Sequence, residues 1–527
     1  MRLGVAGVAL GALAMFSTEA SAQVSWAGYD WSVDRYDTDV FEPNGPYQGQ
    51  EDTLHIGLGP LGYGQSSFYS YQGRKTFFTP QHGSSFVTGD LYIKQEWEAG
   101  QTTNYQSTGI WAGYATDSDS TPSAYPIVAF SNTNSGPAIG RFQIWDADVG
   151  WVYVPAPVSY DAWNTLRIDF HPSDSGNTAE FYINGTLVYT DNAIGADSTT
   201  YLKEIILNSY NNGNSPYDVY WANVLAGLLV NPSNYQILGS APGATEFYQF
   251  TAVGDFVSRR GLSGTKGFSL GNHVWSYGGG LTGDFGQYDG SAYFARFGID
   301  VIEPSAGVRA GFTASTGHNR ASGYGSAEAD NYSVGGYLTY VEKDLYVEVL
   351  SEYAWGQWDI SVPTEATKGS SFNSFVTSAE AGVSLWLGKN LRLVPNVQGV
   401  VIKSDYDGVD YGLVNATYES DAAVIGRAGG RVQFEMPEVF AGGLFYLGAS
   451  VVKNISGGTS TVLSGPALPG AAAVTMASST LEEAAAQFAG GFEINLAEGT
   501  RLYADGNYTT GGDVDAFRGI GGVTISW

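Results

Sequence analysis

Paired carboxylates in the N-terminal half are the residues whose spacing best suits chemistry. Glu96 and Glu98 are two positions apart in the stretch Asp90 to Glu98, whose alternating apolar and polar side chains predict a β-strand. Two carboxylates on one strand face could cleave a glycosidic bond as an acid and a base or nucleophile. Tyr92 and Lys94 share that predicted face, so a solvated outer surface is the favoured interpretation, because exposed carboxylates are the norm.

The sequence gives less support for a metal site or for a catalytic nucleophile. Two other pairs have the same spacing and could contribute to a calcium site: Asp117 with Asp119, and Asp146 with Asp148. An isolated pair lacks the full ligand set of calcium, so we interpret these aspartates as loop residues. Three histidines have no Cys or His partner at metal spacing and are interpreted as structural: His55, His82 and His171. No Gly-x-Ser-x-Gly motif occurs in residues 23–230. We therefore assign no catalytic residue, metal ligand or cofactor.

Four aromatic residues of the same half could stack against sugar rings: Trp111, Trp145, Trp151 and Tyr153. Aromatic side chains equally often fill the core of a β-sandwich, and the sequence leaves both roles open.

Composition limits the possible partners. The chain has 527 residues, a formal net charge of −28 and no cysteine. The negative charge argues against nucleic acid, which needs basic patches, and the missing cysteines exclude disulfides and thiol chemistry. Residues 1–22 have the pattern of an export signal, in which Ala20 and Ala22 flank Ser21 as the cleavage motif and Gln23 begins the mature chain.

Short β-rich runs separated by turn residues predict an all-β domain over residues 23–230. Asn184-Gly185 lies between two apolar runs and predicts a hairpin with a type I′ turn. The segment SYDAWNTLRIDFHPSDSGNTAEFYINGTLVYTDN, with YLKEIILNSYNNG and YDVYWANV after it, resembles the second half of concanavalin A-like jelly-roll domains, including laminin G-like modules. This resemblance implies a fold and leaves the function open.

The next segment, residues 231–260, predicts a linker followed by a helix. Asn231 to Thr245 is rich in Pro, Gly, Ser and Asn, whereas Glu246 to Arg260 has apolar residues at helical spacing. The helix ends with Arg259-Arg260 before Gly261, where positive charge favours a helix C-terminus.

Twelve amphipathic strands are predicted after His273, within residues 261–527. Short joints occur at Glu303-Pro304, Glu342-Lys343, Gly388 to Asn390 and Ala497 to Gly499. Long polar joints alternate with them at His318 to Asp330, Val362 to Asn373, Asp405 to Ser420 and Gly457 to Ser479. Short turns on one rim and long loops on the other are typical of a 12-stranded antiparallel transmembrane β-barrel, which the preceding helix would enter.

The last strand, FRGIGGVTISW, shows one apolar and one polar face. With ADNYSVGGYLTYVEKDLYVEVLSEYAWGQWDI and AEAGVSLWLGKNLRLVPNVQGVVIKSDYDG, this ending resembles the translocator domain of autotransporters, the type V secretion family of Gram-negative outer membranes. The resemblance implies a C-terminal assembly signal at Gly522, Ile525 and Trp527. It also implies that polar strand residues line the lumen: Arg296, Arg309, Glu348, Glu352, Arg392, Arg427, Arg431 and Arg501.

The resemblance implies an outer-membrane barrel that displays its N-terminal passenger at the cell surface, for carbohydrate or surface binding. A polysaccharide hydrolase or lyase on the same sandwich, and a structural or porin-like protein, are the alternatives. The expected partners of this monomer are outer-membrane lipid, the outer-membrane assembly machinery and glycans. Some autotransporters cleave themselves at an asparagine of the pore helix, and Glu246 to Arg260 contains none, so we expect the passenger to stay tethered.

Overall fold

The computed structural model describes residues 23–59, 71–100, 105–133, 140–173, 176–196, 199–210, 216–260, 273–302, 307–363, 365–436, 443–477 and 481–526. The chain divides into two compact units, Met1–Leu229 and Val230–Trp527. The predicted cleavage residues Ala20 and Ala22, the turn Glu303-Pro304 and the terminal Trp527 lie outside the described residues.

Fifteen strands of the described residues build the N-terminal unit. They are β1 (Val24–Trp26), β2 (Tyr29–Val33), β3 (Val40–Tyr47), β4 (Gln50–Leu58), β5 (Tyr71–His82), β6 (Ser85–Ile93), β7 (Ser107–Ala115), β8 (Ile127–Ser131), β9 (Arg141–Asp146), β10 (Gly150–Tyr153), β11 (Ala162–His171), β12 (Thr178–Ile183), β13 (Thr186–Asp191), β14 (Tyr201–Tyr210) and β15 (Tyr217–Leu228).

These strands form two antiparallel sheets with one apolar core between them. The eight-stranded sheet has the order β1-β2-β5-β14-β7-β8-β9-β10, and the seven-stranded sheet has the order β13-β12-β11-β6-β15-β4-β3. Trp31, Ile110 and Leu207 of the first sheet and Ile168 and Trp221 of the second are buried in the same core. Because side chains alternate along a strand, every second residue of each sheet points away from this core. The all-β prediction is confirmed.

Local structure agrees with the predicted hairpin and disagrees with one predicted strand. Asn184 and Gly185 have φ angles of 49° and 76°, as a type I′ turn between β12 and β13 requires. The strand predicted for Asp90 to Glu98 instead ends at Ile93, and Gln95–Trp97 forms a 3₁₀ turn. The backbone N–H of Gln95 donates to the Asp161 carboxylate (2.9 Å), which turns the chain out of the sheet.

The C-terminal unit contains a further fifteen strands among its described residues. They are β16 (His273–Asp284), β17 (Asp289–Ile302), β18 (Val308–Gly323), β19 (Gly325–Glu342), β20 (Leu345–Ser361), β21 (Lys368–Val383), β22 (Leu385–Trp386), β23 (Leu391–Tyr406), β24 (Val409–Asp410), β25 (Asn415–Met436), β26 (Gly443–Ser464), β27 (Val474–Ala477), β28 (Ala485–Ala497), β29 (Thr500–Gly511) and β30 (Val514–Ser526).

Twelve of these strands close a barrel, while β22, β24 and β27 are short additions to it. The ring closes where β16 pairs with β30 from His273↔Ser526 to Asp284↔Asp515. Along each long strand exposed residues alternate with buried ones, and the exposed residues include many large apolar side chains, as Tyr293, Phe312 and Phe375 illustrate. The predicted 12-stranded antiparallel barrel is confirmed.

A helix lies inside the barrel, and it is longer than predicted. Helix α1 spans Gln236–Val253 and α2 spans Phe256–Arg260, with Gly254 (φ 65°) ending α1. The sequence predicted a linker up to Thr245, because proline and glycine weaken helices. A 3₁₀ turn over Pro232–Tyr235 leads directly into α1, and the surrounding strands bury the helix from Ile237 to Val253. Packing on all sides therefore outweighs the poor helix propensity of its first half. Among the described residues, no helix is both long and apolar enough to cross a bilayer.

The predicted long loops are mostly strand. Between His318 and Asp330 the barrel strands continue, with β18 ending at Gly323 and β19 beginning at Gly325, so only Tyr324 lies between them. Strands β25 and β26 likewise extend to Asn415 and Ser464. In these segments exposed polar residues alternate with buried ones such as Ala321, Ala327 and Thr461, so the strands are polar on the outside and packed on the inside. The sequence analysis took them for loops because their outer face is polar.

Candidate functional site

The four aromatic residues predicted to stack on sugars all lie on the outer face of the eight-stranded sheet. Trp151 pairs with Trp145, Trp145 with Ile127, and Ile127 with Trp111 across β10, β9, β8 and β7. Residues directly opposite each other in antiparallel strands share a face, so these side chains form one row. Tyr153 follows Trp151 two positions along β10, on the same face.

Accessibility divides these four residues into two groups. Trp145 and Tyr153 are 37% and 39% exposed, and the Trp145 and Trp151 rings meet edge to face with centroids 5.5 Å apart. Trp111 is only 4% exposed and lies under the Arg35 guanidinium, 4.8 Å from the ring centroid. The open end of the row is therefore the β9–β10 hairpin, whereas Trp111 packs at the sheet centre.

A buried carboxyl group lies on the same face, and the sequence analysis did not identify it. Glu204 of β14 is 1% exposed, and its Oε2 atom has no hydrogen-bond partner among the described residues. Gly113 of β7 makes room for it, since a Cβ there would stand 2.3 Å from Glu204 Cγ. Burial raises the pKa of Glu204, and the neighbouring Asp34 carboxylate adds to the rise, against the opposing effect of Lys75. No motif marks this residue in the sequence.

The predicted carboxylate pairs are not assembled into a site. Glu96 belongs to the 3₁₀ turn and Glu98 follows it, so their spacing no longer places them on one strand face. Asp117 accepts hydrogen bonds from the backbone N–H groups of Asp119 and Ser120 (2.8 and 2.7 Å). Asp146 accepts from the N–H groups of Asp148 and Val149 and from the Tyr189 hydroxyl (2.6 Å). These aspartates cap turns, as loop residues commonly do.

One histidine has neighbours that the sequence analysis missed. Asp169, His171 and Glu180 bring potential ligand atoms within 4.8 Å of one another on the outer face of the seven-stranded sheet. Arg167 Nε, however, is 2.6 Å from Asp169 Oδ1, and the Tyr182 hydroxyl donates to Glu180 (2.7 Å). A cation would compete with the guanidinium for the same carboxylate, so the group is best described as an ion-pair network. His55 is paired with Asp218 (2.8 Å), and the His82 ring contacts that of Tyr201 at a tilt of 53°.

The eight polar residues predicted to line the lumen lie on the barrel face opposite to the exposed apolar residues. Seven of them are buried, and Arg501 is partly exposed. Arg296 makes a two-pronged contact with Glu352, with Nη1 to Oε2 at 2.7 Å and Nη2 to Oε1 at 2.9 Å. Such geometry satisfies two charges in an interior that would otherwise penalise them.

A second charge cluster surrounds the junction of α1 and α2. Asp255 lies 3.6 Å from Arg427 and 3.7 Å from Arg431, measured between the closest charged atoms. Glu380 accepts a hydrogen bond from the Phe256 backbone N–H (2.7 Å). This N–H is at the start of α2, where backbone donors have no partner within the helix. Arg259 pairs with Glu348. The sequence analysis predicted the strand residues Glu348, Arg427 and Arg431 of this cluster but missed Glu380 of β21. It also missed the roles of Asp255 and Arg259, because it assigned no specific contacts to the helix.

Polar contacts also hold α1 along its length. Thr459 Oγ1 donates to Glu246 (2.8 Å), Gln249 donates to Ser374 Oγ (2.8 Å), and the Tyr277 hydroxyl donates to the Ala252 carbonyl (2.7 Å). The helix therefore fills the lumen and is bonded to several strands of the wall.

The C-terminal strand closes the barrel through a tight contact. Gly522 of β30 faces Tyr503 of β29, and a Cβ at this glycine would stand 2.2 Å from the tyrosine ring. Ile525 is exposed on the outer, apolar face. Of the predicted assembly signal, Gly522 therefore packs against Tyr503 of the neighbouring strand, whereas Ile525 lies on the outer surface of the barrel. Their role in assembly stays a prediction.

Comparison with known proteins identifies a relationship for the barrel. Residues 273–507 match the family model described as Autotransporter beta-domain. No curated protein sequence matches the chain. Two similar solved structures are the transport unit of the autotransporter AIDA-I from Escherichia coli (17% identity, 55% of this chain, 99% of that chain, TM-score 0.44) and the translocator domain of NalP from Neisseria meningitidis (16%, 55%, 99%, TM-score 0.42). Endo-1,3-beta-glucanase from Streptomyces sioyaensis is a weaker match (14%, 39%, 98%, TM-score 0.24).

Proposed function

We propose that this chain is an outer-membrane protein whose C-terminal barrel, matched over residues 273–507 by the Autotransporter beta-domain model, displays the N-terminal unit at the cell surface. We propose further that this N-terminal unit is a carbohydrate-binding module. The observation that carries this proposal is the exposed end of the aromatic row. Trp145 and Tyr153 are accessible, and Trp151 supports Trp145 from the adjacent strand. Exposed aromatic faces on a rigid sheet can stack on the apolar faces of sugar rings.

Two buried polar side chains support the aromatic residues of the hairpin from β9. Arg141 lies 3.3 Å above the Tyr153 ring centroid, and Gln143 is opposite Tyr153 on β9. Because the Arg141 guanidinium covers one face of Tyr153, Trp145 offers the more open ring face to a sugar.

A glycan array probed with intact cells that display the full chain tests this function. We expect binding to a subset of glycans that falls about tenfold in Trp145→Ala, since losing one stacked ring costs roughly 1.4 kcal/mol. Leu187→Ala, which removes an exposed side chain from the other sheet, is the matched control. Array binding that survives both Trp145→Ala and Tyr153→Ala would contradict the proposal.

Glu204 favours a second candidate function, the cleavage of a bound polysaccharide. A buried carboxyl group with a raised pKa can act as a general acid, and Asp34 lies close enough to influence it. Reducing-sugar release from a panel of polysaccharides by displaying cells, abolished in Glu204→Gln, would establish an enzyme. Binding without release would leave the module as a lectin-like protein.

We propose that the mature protein is a monomer that the outer-membrane assembly machinery folds. We propose also that its passenger is displayed without being cleaved from the barrel. Helix α1 remains bonded to the wall through Glu246, Gln249 and Ala252, and no asparagine occurs in Glu246 to Arg260. Immunoblots with a barrel antibody should show the mass of the full mature chain. Protease treatment of intact cells should remove the passenger, whereas a porin-like protein with an internal N-terminal unit would keep it.

A further inference from the structure

The outer surface of the barrel changes character over three successive layers of side chains on β18 to β21. Val334, Tyr353 and Phe375 form an apolar layer of paired residues. One step nearer the β18–β19 turn, Tyr332, Trp355 and Asn373 form the next layer, and Asp330, Gln357 and Ser371 form the third. Apolar, aromatic and polar layers in this order mark the boundary between hydrocarbon and water.

This boundary lies at the external rim. The β18–β19 turn is close to the beginning of α1, because a Cβ at Gly325 would stand 2.9 Å from Ile237. The chain ahead of α1 leads to the displayed unit, so the rim where α1 begins faces the outside. The three layers therefore contact the outer leaflet and its headgroups.

A groove of about 800 Å³ lies in the outer surface at this height. Its aromatic wall consists of Trp355 with Tyr332 and Tyr353, whose ring centroids are 6.1 and 6.0 Å from that of Trp355 at interplanar angles of 27° and 26°. Gln357 and Asn373 are exposed in the same groove.

We propose that this groove binds the sugar headgroup of an outer-leaflet glycolipid. Near-parallel aromatic rings offer a flat surface to a sugar, and amide groups above them offer donors and acceptors to its hydroxyl groups. The apolar layer directly below accommodates the acyl chains that such a ligand carries. A groove at the headgroup level with both features fits a molecule that is sugar at one end and hydrocarbon at the other.

Charge distinguishes the sugar from the phosphate of an ordinary phospholipid. The groove contains the carboxylates Glu328, Asp330, Asp359 and Asp407, while its one histidine, His318, is paired with Asp330 (3.0 Å). A bare phosphate group would be repelled at this level. Hydroxyl groups, in contrast, can donate to carboxylates, so the acidic lining favours the sugar ring.

The groove is lined by residues of β18 to β21 and by Asp407, and a different part of the outer surface supplies a control. Near the external turn of β29 and β30, the exposed residues Phe488, Tyr508 and Phe517 pair across β28 to β30. Their row offers aromatic surface of the same kind, but its described residues carry no amide beside the rings on the outer face. A general aromatic belt would treat both sides alike.

Lipid retention by the full-length protein tests the proposal. The protein is placed in nanodiscs containing equal amounts of a neutral monoglycosyl diacylglycerol and phosphatidylglycerol, extracted with mild detergent, and weighed by native mass spectrometry. We expect retention of the glycolipid over phosphatidylglycerol, and a loss of about fivefold in Trp355→Ala, because one stacked ring is removed. Tyr508→Ala should retain the wild-type amount.

Equal retention of the two lipids, or an equal loss in Trp355→Ala and Tyr508→Ala, would overturn the proposal in favour of non-specific aromatic anchoring. Folding of each variant is checked by the heat-dependent shift of barrel mobility on gels. If Trp355→Ala fails to fold, the exposed pair Gln357→Ala and Asn373→Ala tests the same contact. Unchanged retention in that double variant would also overturn it. Glycan-array binding by the passenger is a separate measurement, so failure of one function leaves the other assessable.

Discussion

Side chains alternate between two faces along the strands of both units, but the apolar face is buried in the N-terminal unit and exposed in the barrel. In the N-terminal sandwich the buried residues are apolar, as Phe170, Phe181 and Trp221 show, and charged residues occupy the outer faces. In the barrel the exposed residues are apolar and the buried ones include ion pairs such as Arg296 with Glu352. A period of two therefore identifies strands in both units but does not say which face is inside.

The difference follows from the solvent on each side. Water surrounds the sandwich, so burying apolar side chains in its core stabilises the folded state. Hydrocarbon surrounds the barrel, so apolar area is stable outside and the interior must solvate its own charges. The helix α1 completes that interior, since Glu246 and Gln249 bond to wall residues. Stability should therefore depend on opposite kinds of residue in the two units.

The largest expected difference is between two matched phenylalanines. Phe181→Ala in the sandwich core should cost about 3–5 kcal/mol of unfolding free energy, because it leaves a cavity among packed side chains. Phe488→Ala on the outside of β28 should cost under about 1.5 kcal/mol, because lipid fills the space. Protease susceptibility of the N-terminal unit in urea, and the heat-dependent gel shift of the barrel, measure the two effects. Equal costs would mean that the barrel surface is packed against protein.

Ion pairs should matter more in the barrel, and their loss should be repairable. Arg296→Leu leaves Glu352 buried and unpaired, which we expect to cost about 3 kcal/mol. The double variant Arg296→Leu with Glu352→Leu should recover at least half of this, because no unpaired charge remains. The gel-shift temperature of both variants measures the effect. A double variant as unstable as the single one would show that the packing of these two side chains, and not the pairing of their charges, contributes the stability.

Barrel closure should be sensitive to one added methyl group. Gly522→Ala places a Cβ 2.2 Å from the Tyr503 ring and should cost about 1–3 kcal/mol through overpacking. Gly399→Ala, in β23, meets open space within 4 Å and is the matched control. The folded fraction recovered from outer membranes measures assembly. Normal recovery of Gly522→Ala would remove this glycine from the predicted assembly signal.

Much of the barrel was predictable because its joints, strand lengths and polarity are local properties of the sequence. Turns at Glu342-Lys343 and at Ala497 to Gly499 lie where they were expected. The first half of α1 was not predictable, since Gly239 and Pro242 argue against a helix and only burial in the lumen offsets them. Ion pairs such as Arg259 with Glu348 join distant positions, and a single sequence gives no register between them.

In the sandwich, the hairpin at Asn184-Gly185 was predictable from two residues, whereas Glu204 was not predictable at all. Its environment depends on Gly113 and Asp34, which belong to other strands and become neighbours only in the folded sheet. The sequence proposed four aromatic residues for stacking on sugars without ranking them, and the structure separates them by exposure, with Trp145 at 37% and Trp111 at 4%. Their role in stacking stays a prediction. Residue type predicted the chemistry, and tertiary packing determined where that chemistry is accessible.

The smallest expected effect concerns two carboxyl groups of the sandwich with opposite responses to pH. The pKa of Glu204 is raised by burial, so the folded state binds protons more readily than the unfolded state and stability falls as pH rises above about 4.3. Burial also raises the pKa of Asp146, but hydrogen bonds from Tyr189, Val149 and Asp148 outweigh it and the net pKa is lowered. Stability from Asp146 is therefore present above about pH 3.9 and lost as pH falls through its folded pKa.

Amide substitutions separate these two signs. At pH 7, Glu204→Gln should raise the unfolding free energy of the N-terminal unit by about 1 kcal/mol, and the gain should vanish near pH 4. Asp146→Asn should lower it by about the same amount at pH 7. Urea unfolding at both pH values measures each change. Glu352 of the barrel is buried and pairs directly with Arg296, whereas burial of Glu204 outweighs the opposing effects of Lys75, Tyr125 and Arg35. A stabilising Glu204→Gln would therefore show that the sandwich keeps this carboxyl group at a cost. Such a cost is expected of a group retained for binding or catalysis, whereas a destabilising substitution would mean that Glu204 is an ordinary structural hydrogen-bonding residue.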